Sequence, residues 1–295
     1  MRAVKTLQAI NDSIFVDQGN AFRRQLEIAM PKMGDAYREN DSAFRSHLGG
    51  SMIGAVCDRA LWYGFHWTTQ PSFGGRILRL FNRGHLEEAR FIAMMESAGI
   101  TVWCEEQGKQ FRISEHNGHF GGSLDAILHG VPDMPDVHML GEFKTHNNKS
   151  FCKLVADGLQ SSKWQHYIQM QVYMFKMGLE YGLYLAVNKN DDTLYGEIIT
   201  RKDSLAKEAL NRAHSIIYAT AIPKRISDRP SRFECKYCDH KNVCFGKEMP
   251  LSNCRTCISA SPKPKGQWFC EKFNQKLSKA KQEEGCDDHD YKVGL

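Results

Sequence analysis

No run of about 18 apolar residues occurs in this 295-residue chain, so no segment has the length and hydropathy of a membrane-crossing helix. The opening residues, MRAVKTLQAINDSIF, also lack the apolar stretch of a secretory signal, and the expectation is a cytoplasmic protein with no membrane partner. Internal repeats and long low-complexity segments are missing, which excludes a repeat architecture and a disordered or collagen-like chain. Strong charge bias is missing too: a net charge of +5 permits a phosphate-rich partner without establishing one. What remains is an ordinary globular composition, 42% apolar and 25% charged, long enough for one large α/β domain or a medium domain with a small module.

Cysteine is plentiful. Ten cysteines without an export signal point to metal binding rather than to disulfides. Seven lie after residue 234, Cys57 stands far upstream, and Cys104 and Cys152 fit no pattern and read as buried or neutral thiols. Residues 221–247, which hold three of the cysteines, also carry seven Lys/Arg against three acids, a cluster that by itself reads as a solvated loop.

Residues 1–70 read as irregular and helical, with a short helix in SMIGAVCDRALWY. The three- and four-residue spacing of Ile77, Phe81, Gly84, Glu88, Ile92 and Met95 predicts a helix over 76–98, ended by Ala98-Gly99. Strands are predicted at Thr101–Cys104, Gly108–Ile113, Phe120–Leu128 and Val137–Thr145, the last two joined through HGVPDMPD. A helix over Lys163–Met177, strands at Leu183–Val187 and Leu194–Thr200, and a helix over 204–218 complete an α/β core with a mixed sheet flanked by helices. The expected domains are 1–247 and a small Cys-rich module, 248–295.

Strand alternation puts Glu142 and Lys144 of LGEFKTH on one side and turns Phe143 toward the core. If the strand carrying Asp125 lies alongside, two carboxylates and an ammonium share one pocket. Carboxylate oxygens suit Mg²⁺ or Mn²⁺, which lowers the pKa of a bound water, and a lysine beside them orients that water or stabilises charge on a phosphoryl group. Glu-x-Lys alone is uninformative, because such pairs are common on solvated strands. Glu88 adds to it: a carboxylate on an apolar helix face needs a partner, and a metal is one. His85, a turn earlier, is a candidate substitute ligand. Gln165, Gln169 and Tyr173 fall in line on one face of the 163–177 helix, where neutral amide and phenol groups suit the positioning of phosphates or of the lysine.

Taken in order, RGHLEEARF, GGSLD, GEFK and QMQVY resemble the motifs of the PD-(D/E)XK nuclease superfamily in its RecB and lambda-exonuclease branch, over roughly residues 50–250. The resemblance implies that Asp125, Glu142 and the backbone carbonyl of Phe143 hold a divalent metal. It makes Lys144 the catalytic lysine, and Gln169 with Tyr173 the Q-x-x-x-Y element. Glu88 departs from many iron-sulfur relatives, which have His there, and agrees with the phage recombination nucleases.

Cys235-x2-Cys238-x5-Cys244 leaves zinc and iron open by spacing, since thiolates select either. With Cys57 in CDRALWY as fourth ligand, the set resembles the split 4Fe-4S pattern of CRISPR-associated RecB-like exonucleases and of the AddB nuclease domain. Cys254-x2-Cys257, Cys270 and Cys286-x2-His289 form a second set of zinc character, five candidates for four places, with Cys254, Cys257, Cys270 and Cys286 favoured and His289 as substitute. Between them, Lys263, Lys265 and Trp268 are candidates to touch a phosphate backbone and stack on a base. A structural zinc ribbon without DNA contact is the competing reading.

These features imply a metal-dependent deoxyribonuclease, an exonuclease acting at DNA ends on single strands. Its setting would be recombination, repair or CRISPR-related processing in a bacterial or phage-infected cell. The alternative is an inactive nucleic-acid-binding metalloprotein with a nuclease fold. The retained Asp125, Glu142 and Lys144 argue against it, because a pure binder has no use for two carboxylates beside a phosphate.

Overall fold

The computed structural model describes residues 1–37, 44–70 and 72–295. In chain order the helices are α1 (Val4–Val16), α2 (Asn20–Ala29), α3 (Asp58–Phe65), α4 (Gly75–Ser97), α5 (Asn148–Ser162), α6 (Trp164–Met177), α7 (Asp203–Ile217), α8 (Phe233–Lys236), α9 (Lys241–Cys244) and α10 (Lys279–Glu284). The strands are β1 (Leu48–Gly49), β2 (Thr101–Trp103), β3 (Glu105–Glu106), β4 (Lys109–Gln110), β5 (Arg112–Glu115), β6 (Phe120–Ser123), β7 (Ala126–His129), β8 (Met139–His146), β9 (Tyr181–Asn188), β10 (Leu194–Thr200), β11 (Ala260–Lys263), β12 (Gln267–Cys270) and β13 (Gln275–Leu277). Two compact units result: Met1–Asn40, Phe73–Ile113 and Ser123–Ala206 form the first, and Asp41–Ser72, Ser114–Gly122 and Lys207–Leu295 the second.

A five-stranded mixed sheet, ordered β10-β9-β8-β7-β2, organises the first unit. Its parallel pair is β8 and β9, joined by the α5–α6 crossover, and the other pairs are antiparallel. Strands covered on both faces read as continuous apolar runs, which is why LYLAV lacks alternation. On one face Phe143, Leu183, Leu185 and Val187 join Phe91, Met94 and Met95 of α4 and Ile10 of α1 in a single core. Against the other face α6 packs closely: a Cβ on Gly182 would stand 2.8 Å from Met170 Cε and 3.2 Å from Met174 Sδ, so a side chain at this position of β9 would displace the tips of two methionines.

Three expectations change. The predicted strand Phe120–Leu128 is two strands in two sheets, because Leu124 donates its N–H to Phe111 O (3.0 Å) instead of continuing a ladder. Gly108–Ile113 divides into a small β3–β4 hairpin, turned by Gln107 and Gly108 at positive φ, and β5. Residues 148–162, for which the periodicity predicts nothing, form α5. It is capped by Asn147 Oδ1, which accepts from Ser150 N (2.9 Å), and broken at Gly158 (φ 72°, ψ 172°). Only Phe151, Leu154 and Leu159 of it are buried, too few to make a readable period.

In the second unit, Arg255 is enclosed by aromatic rings. It donates to Phe65 O (3.0 Å), Ser46 O (2.9 Å) and Gln282 Oε1 (2.8 Å), with its guanidinium 3.7 Å from the Trp67 ring centroid and 4.8 Å from that of Trp268. Trp268, expected to stack on a base, is fully buried. On β12 alternation turns it inward, against Phe65 and His66.

Candidate active site

The register of β8 decides the site. Ala126 pairs with Gly141, which sets Asp125, just before β7, beside Glu142. Asp125 Oδ2 accepts from Phe143 N–H (2.8 Å) and so is held in place by the strand that carries its partners. Lys144 Nζ donates to Phe143 O (2.9 Å), to Asp125 Oδ2 (3.3 Å) and, in the shortest contact, to Glu142 Oε1. The three oxygens named as metal ligands in the resemblance therefore converge on one cation, the lysine ammonium. Gln169 of α6 donates from Nε2 to Glu142 Oε1 (2.8 Å), and Tyr173, one turn on, is buried.

Glu142 is fully buried, and its Oε2 has no hydrogen-bond partner among the described residues. Burial pushes its carboxyl above the usual range, opposed by Lys144. Burial also disfavours the Lys144 charge, but Asp125 and Glu142 outweigh it and hold the ammonium well above its ordinary value. Glu88, half-buried on α4, is pushed up to about 7 by burial and then by the Asp125 charge. Glu88 and Asp125 line a cleft of about 590 Å³, with His85 exposed at its rim and Lys32, Glu96 and Gln110 on its walls. Gln165 is only partly buried.

A second acid of α4 is also withdrawn from solvent: Glu87, one position earlier, is 4% exposed and pairs with Arg90 (3.0 Å). Also unanticipated is a hydrogen-bonded group beside Lys144. The Tyr184 hydroxyl lies 2.9 Å from both His146 Nε2 and His166 Nδ1, and Ser150 Oγ, 3.2 Å from His146 Nδ1, accepts from Lys163 Nζ (2.6 Å). Burial and then the nearby lysines push His146 down to about 4 and His166 down to about 3, so both imidazoles are neutral at neutral pH. Period-two alternation from Glu142 through Lys144 to His146 was the available signal.

In the second unit, Cys57, Cys235, Cys238 and Cys244 line one pocket with Arg59, Arg225 and Lys241. The Cys235 and Cys238 thiols are raised by burial first and then by neighbouring cysteines, among them Cys57 and Cys244. Cys254 is pushed up to about 11 by burial and then by Cys286, Cys257 and Cys270. These three thiols lie near enough to Cys254 to act on its charge, while His289 Nε2 lies 3.0 Å from Thr256 Oγ1. Among the described residues no group of three His, Cys, Asp or Glu side chains is drawn together tightly enough to hold a metal ion as placed. The donor chemistry nonetheless suits metals at all three places: converging oxygens with an orphaned buried Oε2 in one, sets of four thiols in the others.

No protein-family model and no curated protein matches the chain. Among solved structures it is similar to LHK-Exo in complex with dAMP, at 18% identity over 58% of this chain and 86% of that one, with a TM-score of 0.43. It is also similar to SSO0001, at 15% identity over 78% and 96% of the two chains (TM-score 0.41). A third similar structure is an alkaline exonuclease, LHK-Exo from Laribacter hongkongensis, at 16% identity over 66% and 90% (TM-score 0.42).

Proposed function

We propose that this chain is a divalent-metal-dependent DNA nuclease that hydrolyses phosphodiester bonds at DNA ends, with a single strand as its substrate. The observation that carries the reading is the convergence of Asp125 Oδ2, Glu142 Oε1 and Phe143 O on one cation position beside the cleft that Glu88 lines. Asp125, Glu142, Phe143 O and Glu88 would hold Mg²⁺ or Mn²⁺, which supplies charge for the phosphate and an acidified water. Lys144, held protonated by its acidic neighbours, stabilises developing phosphoryl charge and is no base at neutral pH. Gln169 fixes the rotamer of Glu142, and Tyr173 stands buried one turn on along the same helix face. Cys57, Cys235, Cys238 and Cys244 would hold a 4Fe-4S cluster, and Cys254, Cys257, Cys270 and Cys286 a zinc ion.

Glu142→Ala and Lys144→Ala each should abolish cleavage of end-labelled DNA in Mg²⁺ or Mn²⁺ while the circular dichroism spectrum stays that of the parent. Activity within a few-fold of the parent in both variants would refute the assignment.

A further inference from the structure

The β11–β12–β13 sheet turns one face inward and leaves the other to solvent, and alternation decides which side chains go where. On β12, Trp268 and Cys270 are buried, while Gln267 and Phe269 on the other face are only partly so. Phe269 is thus an aromatic ring on the outer face. Register fixes its company: it pairs with Ser261 on β11 and with Lys276 on β13, while Lys263 pairs with Gln267. Lys263, Gln267, Phe269 and Lys276 line one cavity of about 330 Å³, and Lys263 Nζ stands 5.6 Å from the Phe269 ring centroid. The β12–β13 turn repeats the pairing, with Phe273 47% exposed and Lys272 Nζ 5.8 Å from its ring centroid.

Charge on this segment is one-sided. Residues 261–280 carry five lysines against one acid, Glu271. Lys263 is paired with Glu271 (2.7 Å) and Lys272 with Asp288 (3.4 Å), whereas Lys265 and Lys276 have no ion-pair partner among the described residues. A partly exposed ring with one lysine ammonium 5.6 Å away and a second lysine opposite it on β13 offers what an unpaired nucleic acid strand needs, a flat surface for a base and cationic side chains for the neighbouring phosphates. A duplex keeps the faces of its bases stacked inside and offers only the phosphates.

We propose that this sheet face binds a single DNA strand, with Phe269 stacking on a base and Lys276 taking a flanking phosphate. The proposal rests on the nuclease reading above for the identity of the polymer, and on the sheet face alone for the place.

The test titrates the full chain by fluorescence anisotropy, in Ca²⁺ instead of Mg²⁺, with a labelled thymidine strand of about a dozen nucleotides and with a matching duplex. Phe269→Ala weakens strand binding by about tenfold and leaves duplex binding within twofold, as loss of a stacked base requires. Phe269→Trp retains affinity, and exposed Lys276→Ala lowers the slope of log affinity against log salt by about 0.7. Phe269→Ala and Lys276→Ala variants that both bind the strand with parental affinity and salt slope overturn the proposal, and so does an equal loss on strand and duplex. Cleavage in Mg²⁺ is read separately. Parental cleavage with Phe269-independent binding sinks this surface and spares the nuclease reading. Phe269-dependent binding without cleavage in any divalent metal does the reverse.

Discussion

Glu142 carries its carboxyl into the middle of a sheet with Oε2 unpartnered among the described residues, a placement that disfavours its charge unless a cation compensates. Glu88 stands in the same position more mildly. Its carboxyl titrates at about 7 when folded against an ordinary value of 4.5, so the folded state binds more protons between those limits. The sign follows: stability from this group is present below about pH 4.5 and is lost as pH rises through about 7. In chelator, Glu88→Gln should therefore raise the melting temperature at pH 8 and leave it nearly unchanged at pH 4. Equal shifts at both pH values would show that Glu88 is not the desolvated group described. Added Mn²⁺ should stabilise the parent at pH 8 more than the Glu88→Gln protein, measured by the same melts.

At the scale of elements, β8 and α6 bring the chemistry together, and α5 sets where α6 begins. Its break at Gly158 has a backbone conformation open essentially to glycine alone. There Leu159 N–H donates to Glu197 Oε2 (2.8 Å), which also accepts from the Tyr195 hydroxyl (2.5 Å). Gly158→Ala should destabilise by about 1–3 kcal/mol through the strained φ, read as a lower urea midpoint at unchanged slope. A neutral result would mean that the break relaxes. Gln169 and Tyr173 were legible as one helix face, but their burial was not. A polar solvent face has the same spacing, and only packing against β8 separates the two.

Across the whole molecule, the proposed cysteine-bound centres would tie together segments far apart in the chain. Joining Cys57 to Cys235 closes a loop of well over a hundred residues, for which cross-link arithmetic gives an upper bound of about 5 kcal/mol. Cys57→Ala should bleach the broad visible absorbance of a 4Fe-4S cluster, lower the iron content and reduce the melting temperature by about 10 °C. A brown and fully stable Cys57→Ala protein would show that the fourth ligand lies elsewhere. A colourless parent with stoichiometric zinc after anaerobic purification would put zinc in the place of iron.

Local spacing determined a good deal: α4, α6, the β9–β10 pair, and Glu142 with Lys144 on one strand face. These follow from periods of 3.6 and 2, which are properties of the backbone and need no partner to be read. Only the tertiary structure decided that Phe120–Leu128 divides between two sheets, that α5 exists and bends, and that Glu87 is buried beside Glu88. It also gathered His146 and His166 around the Tyr184 hydroxyl, and it turned Trp268 inward and Phe269 to the partly exposed face. Each of these turns on which neighbour covers a side chain, and burial is a property of the neighbour's position, which no local pattern encodes.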